Sequence, residues 1–198
     1  MRKILVFLAF ILFFNACNDE TADIKSDPSF KPYKNGEEII LSSVAGAKIK
    51  LIRSEKGFKL ENNKIIMFDI FGTYCAPCQK EAPFLMNFQL ANADKFMLIG
   101  LVHFDNPSNE QVVNNFSKKF NAFYFISNEE ENNRLIKQIL KDIDYKQALQ
   151  IPFKVVLKNG NYQYLSDNLG ERNGKKSKFY LGSVPPMIFN NDLKAILE

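Results

Sequence analysis

An α/β fold built around a parallel sheet section is predicted by three features of the sequence. Two nearly continuous apolar runs, Lys64–Phe71 and Lys95–His103, have the composition of strands buried on both faces. Each is followed by a stretch with helical apolar spacing, and strand–helix alternation of this kind lays helices over parallel strands. Between the first run and its helix stand two cysteines two residues apart, Cys75-Ala76-Pro77-Cys78. The 198 residues, 46% hydrophobic and 24% charged, suffice for one core without disulfide staples.

At the N-terminus, Arg2 and Lys3 precede an unbroken apolar stretch, Ile4 to Phe14, that ends in Asn15-Ala16-Cys17. This is the pattern of an export signal, too short to span a bilayer. Removing residues 1–16 leaves 24 Lys and Arg against 22 Asp and Glu, so the net charge falls from +4 to +2. No basic stripe points to nucleic acid. Residues 17–37 are polar, contain Pro28 and Pro32, show no apolar period and read as a flexible tether before a domain over 38–198.

Glu38–Val44 and Lys48–Arg53 read as strands, with turns at Gly57 and Asn62-Asn63. The helix after the cysteines extends to about Ala91, with Phe84, Leu85 and Phe88 inward. A second helix starts at Asp105-Asn106-Pro107-Ser108, with Asn106 as cap, Pro107 at the first helical position, and Val112, Val113, Phe116 and Phe120 on its apolar face. Ala122–Ile126 is a short strand. Ser127 and Glu130 form a capping-box signature before a helix carrying Leu135, Ile136, Ile139, Leu140 and Ile143. From Pro152 a β-branched run leads to Asn159-Gly160, a hairpin turn. Residues 167–176 read as an exposed loop, Lys178–Ser183 as the last strand, and Met187–Glu198 as a closing helix with Leu193, Ile196 and Leu197 inward.

A CxxC pair serves redox chemistry, haem attachment or half of a zinc site. Haem attachment needs a histidine after the second cysteine, where Gln79 stands. Zinc wants four ligands, and this chain adds only His103, a strand-end residue, to Cys75 and Cys78. Redox chemistry is therefore the favoured reading, while a Cu(I) site made of two thiolates stays open. The positive end of a helix stabilises a thiolate at its N-terminus, which makes Cys75 the nucleophile. Cys78, one turn further in, attacks the resulting mixed disulfide and resolves it. Asp69 lies six residues before Cys75 inside a buried strand, where an acid needs a partner or keeps its proton. It reads as the proton acceptor for Cys78.

This segment resembles a thioredoxin active site, and more closely that of the membrane-anchored thioredoxin-like proteins of bacterial envelopes, the TlpA/ResA thiol:disulfide oxidoreductase group. Asp69 falls at the position of the buried thioredoxin Asp, and Pro83 at that of a proline inside the helix; Tyr74 replaces the usual Trp. The resemblance spans roughly residues 38–198. It implies a thioredoxin fold, a central mixed sheet flanked by helices, with an N-terminal β-hairpin and a central helix/strand insertion. It further implies a cis Ile151-Pro152 bond against the cysteines, with the Ile151 backbone offered to an extended substrate. Val184-Pro185-Pro186 fits that role less well, because too few residues follow it. Tyr74, Ala76 and Pro77 would border the same substrate surface, and Glu81 would tune the site.

The end of the signal resembles that of a bacterial lipoprotein, with Cys17 lipidated. The resemblance implies a lipid-anchored protein on the periplasmic side of the envelope with no cofactor or metal beyond a Cys75–Cys78 disulfide. Its partners would be disulfide-containing envelope proteins, such as apocytochrome c or a copper-site protein, and a transmembrane electron donor. Ala76 and Pro77 supply neither charge nor hydrogen bond to a thiolate, which favours the disulfide form and electron donation. A disulfide-forming oxidase or isomerase, or a non-catalytic Cu(I)- or protein-binding module, is the alternative.

Overall fold

The computed structural model describes residues 30–198. The export signal, the lipidation candidate Cys17 and most of the tether lie outside those residues. Two sheets organise the rest. Strands β1 (Glu38–Ser42), β2 (Lys48–Arg53) and β3 (Phe58–Leu60) form an antiparallel sheet in that order, so the expected hairpin gains a third strand. The larger sheet has the order β6-β5-β4-β7-β8. Its centre is β4 (Ile65–Phe71), parallel to β5 (Phe96–Val102) and antiparallel to β7 (Phe153–Lys158). Strand β6 (Phe125–Ser127) extends the parallel section, while β8 (Asn161–Tyr162) and β9 (Tyr180–Leu181) both pair with β7.

Around this sheet lie α1 (Ala76–Ala91), α2 (Asn109–Val112), which continues into a π-helical turn at Val113–Ser117, α3 (Glu131–Asp142) and α4 (Pro186–Leu197). The arrangement is a thioredoxin fold with an α2–β6 insertion. All seven residues of β4 are buried, as its uninterrupted apolar composition requires. Side-chain alternation then decides what each serves. Ile65, Met67 and Phe71 point into the core shared with Cys75, Cys78, α1 and α4. Ile66, Phe68 and Ile70 point into the core shared with α3 and the three-stranded sheet. Asp69, between Phe68 and Ile70, therefore faces the cysteine side.

Several local expectations need correction. Helix α2 starts at Asn109, capped by Ser108 in a capping box with Gln111, and not by Asn106 with Pro107 at the first position. Ser108 offers its own hydroxyl three residues before Gln111, the spacing that satisfies both orphan amides. The Ser127/Glu130 capping box does not form either. Ser127 is buried in β6 beside Leu101, and its hydroxyl donates to Asn132 instead. The strand expected at 122–126 is shifted to 125–127, and the last strand shrinks to two residues.

The described end of the tether is docked. Tyr33 is buried, its amide donates to Gln138 of α3, and the Arg134 guanidinium stacks on its ring at 3.7 Å. An aromatic ring and an arginine thus hold residues expected to be free. The loop at 167–176 is exposed at its tip but anchored at its base. There Asp167 accepts the amides of Gly170, Arg172 and Gly174, and Asn168 donates to the carbonyls of Leu181 and Ser183. At Asn159-Gly160 both residues have positive φ, 52° and 75°, as a tight hairpin turn between β7 and β8 demands.

Candidate active site

Cys75 and Cys78 form a disulfide at the start of α1. Cys75 is the helix N-cap, with extended backbone, and its Sγ accepts the Cys78 amide at 3.3 Å. No acidic residue occupies the first turn, so nothing there opposes a negative sulfur. Ala76 and Pro77 are exposed, with Pro77 placed where a missing N–H costs the helix nothing. Pro83 lies inside α1 and deprives the Gln79 carbonyl of its helical donor. Cys75 is 7% exposed and Cys78 2%. The two cysteines thus differ in burial only by degree, while Tyr74 beside them is 62% exposed.

The loop that delivers Cys75 is fastened by residues the sequence reading passed over. Thr73 donates both its amide and its hydroxyl to the Asp105 carboxylate, and Gln79 donates to the Thr73 carbonyl at 2.7 Å. The Ile151-Pro152 bond is cis, as expected. The Gly182 amide ties the Pro152 carbonyl to β9 at 2.8 Å. Ile151 packs on the core that contains both cysteines. A Cβ on Gly72 would lie 3.0 Å from the Tyr74 ring and 3.1 Å from Ile151 Cδ1, so these two side chains converge over a glycine. Of the residues expected to border the substrate surface, Tyr74 and Ile151 are thus brought together. The His103 carbonyl lies 3.4 Å from the same Gly72 Cβ position, while its ring contacts Asn133 at 3.2 Å and Phe104, and burial lowers its pKa.

A buried charge cluster lies on the cysteine-facing side of the central sheet. Asp69 and Lys154 are cross-strand partners on β4 and β7, and the Lys154 ammonium approaches Asp69 Oδ1 at 3.4 Å. This ion contact leaves Oδ1 without a hydrogen bond among the described residues. Lys154 makes a closer ion pair with Glu81, which enters from α1 one turn beyond Cys78. Glu81, read from the sequence as a tuning residue, is thus turned inward, its side chain 9% exposed. Lys154 is fully buried. Burial raises the pKa of Asp69 from its ordinary value and outweighs Lys154, which pulls it down. Burial likewise raises that of Glu81, again against Lys154. For Lys154 burial works to remove the proton, but the two carboxylates prevail and its pKa is raised.

Tyr124 completes the cluster. Its hydroxyl is buried and unpartnered among the described residues, and burial, followed by the charges of Asp69 and Glu81, holds its proton very tightly. Gly100, opposite Asp69 on β5, makes room for it, since a Cβ there would lie 3.0 Å from both the Tyr124 and Phe71 rings. Lys154 and Tyr124 were not expected from the sequence. A lysine within Phe153-Lys154-Val155-Val156-Leu157, bound for the strand beside Asp69, was the available signal for the first. Among the described residues no group of three or more His, Cys, Asp or Glu side chains is arranged to hold a metal ion, and no helix is long and apolar enough to cross a membrane.

Fold and site together define a thioredoxin-fold chain with a disulfide-linked CxxC pair at a helix start and a cis Ile151-Pro152 bond whose isoleucine packs on the same core. Neither a protein-family model nor a curated protein matches the sequence. Solved structures do match the fold. A thiol:disulfide interchange protein of the thioredoxin family from Chlorobium tepidum TLS is 20% identical with a TM-score of 0.54, covering 85% of this chain and 98% of its own. StoA from Bacillus subtilis is 16% identical at a TM-score of 0.50, covering 80% and 97%. A secreted Mycobacterium tuberculosis disulfide oxidoreductase homologous to E. coli DsbE is 14% identical at 0.50, covering 79% and 95%. At these identities the likeness establishes the fold.

Proposed function

We propose that this chain is a thiol:disulfide oxidoreductase of the bacterial envelope that reduces disulfides in other exported proteins. The observation that carries the reading is Cys75 at the N-cap of α1, disulfide-linked to Cys78 and receiving its amide. In the reduced protein that amide and the helix dipole stabilise a Cys75 thiolate, the attacking species. The thiolate attacks a substrate disulfide held along Tyr74, Ala76, Pro77 and the Ile151-Pro152 segment. Cys78 then attacks Cys75 Sγ and releases the reduced substrate. Asp69 takes the Cys78 proton during that attack.

Export and anchoring rest on Arg2 to Cys17, with the lipidated Cys17 holding the domain at the membrane. A domain outside the cytoplasm needs electrons delivered across the membrane, so a transmembrane donor is part of the reading. Apocytochrome c thiols and copper-site cysteines are substrates of fitting chemistry. The direction of electron flow is tested by the reduction potential of the Cys75/Cys78 pair, measured by thiol alkylation in defined redox buffers. A value near the roughly −270 mV of thioredoxin is expected. A value near the roughly −120 mV of strong oxidases would reverse the direction and make the chain a disulfide donor.

A further inference from the structure

Among the described residues, six other than glycine adopt a positive φ. Five of them are Asn63, Asn121, Asp144, Asn159 and Asn173, short polar side chains that tolerate the left-handed region. The sixth is Phe104, at 68°. A bulky ring in that region strains the backbone, and nothing in the turn calls for it. The turn itself has a clear use. The His103 amide donates to the Phe71 carbonyl at 2.8 Å, continuing the β5–β4 pairing, and two residues later the Asp105 carboxylate receives the amide and hydroxyl of Thr73. A left-handed residue lets the chain bend between those two contacts, and glycine or asparagine would bend it without strain. What phenylalanine adds is a ring, 53% exposed, that lies 4.3 Å, centroid to centroid, from the His103 imidazole.

Where that ring stands follows from its neighbours. Asp105 fastens the loop that delivers Cys75, and the His103 carbonyl lies 3.4 Å from the Gly72 Cβ position on which Tyr74 and Ile151 converge. Phe104 is therefore carried between two residues that both touch the segment leading into the cysteines. Its charged neighbour is withdrawn: Asp105 gives one carboxylate oxygen to Thr73 and keeps the other buried, so the ring and not the carboxylate faces outward. We infer that Phe104 is a substrate-contact residue: its ring is held out beside the CxxC loop to receive an apolar side chain that flanks the target disulfide of a protein substrate. The inference rests on the dithiol-exchange reading and adds to it a preference among substrates. An apolar flank laid on the ring removes carbon surface from water on both sides, whereas a polar flank gains little. The backbone strain is then what holds the ring in place before a substrate arrives.

The test uses two synthetic peptides, each closed by one disulfide and identical except for leucine or serine beside each cysteine, with hydroxyethyl disulfide as a substrate that has no flanking side chain. The reduced full-length chain in a Cys17→Ser background is expected to reduce the leucine peptide about tenfold faster than the serine peptide, measured as the second-order rate constant for oxidation of the cysteine pair. In Phe104→Asn that preference should vanish, while hydroxyethyl disulfide is reduced at an unchanged rate. The urea midpoint of Phe104→Asn should stay or rise, because asparagine suits the left-handed turn. Phe104→Tyr, which keeps the ring, should keep the preference. A preference that survives in Phe104→Asn, or that the unsubstituted chain never shows, would overturn the inference. A lowered urea midpoint with all three substrates slowed alike would overturn it too, making the ring a structural part of the loop. So would a dimer that Phe104→Asn dissolves, which would make the ring a contact between copies. Failure of the unsubstituted chain to reduce hydroxyethyl disulfide at all would instead refute the exchange reading itself.

Discussion

The two faces of the central sheet each bury an ion cluster, and they are built on opposite principles. On the α3 side, Arg53 grips both oxygens of Asp142, and the Tyr162 hydroxyl and Gln138 amide add two more hydrogen bonds to the same carboxylate. One cation meets one anion, and every acceptor site on Asp142 is used. On the cysteine side, one ammonium serves two carboxylates, and both Asp69 Oδ1 and the Tyr124 hydroxyl are left without hydrogen bonds among the described residues. A satisfied, balanced pair locks β2, α3 and β8 together. The unbalanced one keeps unsatisfied polar atoms on the face of the sheet that also carries the cysteines. Imbalance, rather than buried charge alone, is what makes such a cluster a candidate site.

Substitution of the two acids should separate the clusters most widely. Asp142→Ala leaves Arg53 buried and unpaired, and a loss of about 3–5 kcal/mol in denaturant unfolding is expected. Asp69→Asn instead leaves Lys154 and Glu81 as a balanced pair, so stability at neutral pH should hold or rise by about 1 kcal/mol. A comparable loss in both variants would erase the distinction.

The pH dependence of stability sharpens it. The folded-state pKa values of Asp69 and Glu81 are raised, so the folded chain binds their protons more tightly than the unfolded chain does. Their contribution is full below the ordinary carboxylate value of about 4 and is lost as pH climbs toward the raised folded values. Urea midpoints should accordingly fall across that window, and Asp69→Asn should flatten the fall. A flat profile in the unsubstituted protein would show that both carboxylates titrate normally.

Two buried tyrosines that differ in their partners give a further contrast. Tyr162→Phe removes a hydroxyl bonded to a carboxylate at 3.0 Å and should cost about 1.5–3 kcal/mol. Tyr124→Phe removes an unpartnered buried hydroxyl and should gain about 1 kcal/mol. Equal effects in a urea titration would indicate that Tyr124 does have a partner in solution.

The comparison also shows what a sequence discloses. The order of strands and helices apart from β3, the CxxC at a helix start, Asp69 in a buried strand and Pro152 before the next strand were legible, because apolar period and local turn chemistry fix them. The inward turn of Glu81 was not, since a helix-face acid looks the same whether it meets water or Lys154. Lys154 and Tyr124 acquire their roles only when β4, β5 and β7 are laid side by side, a long-range pairing that no local pattern encodes. The cap at Ser108 and the docking of Tyr33 on α3 were missed for similar reasons. Several residues could have capped α2, and a short polar stretch with one aromatic gives no periodic signal.

The most direct test of the division of labour between the cysteines is to trap its intermediate. Reduced Cys78→Ala protein is exposed to a disulfide-bonded protein substrate, and the covalent product is mapped by peptide mass analysis without reductant. A stable mixed disulfide through Cys75 is expected, released by added thiol, while Cys75→Ser forms none. Absence of any adduct, or an equal adduct through Cys78 in Cys75→Ser, would contradict the assignment of Cys75 as the attacking sulfur and Cys78 as the resolving one.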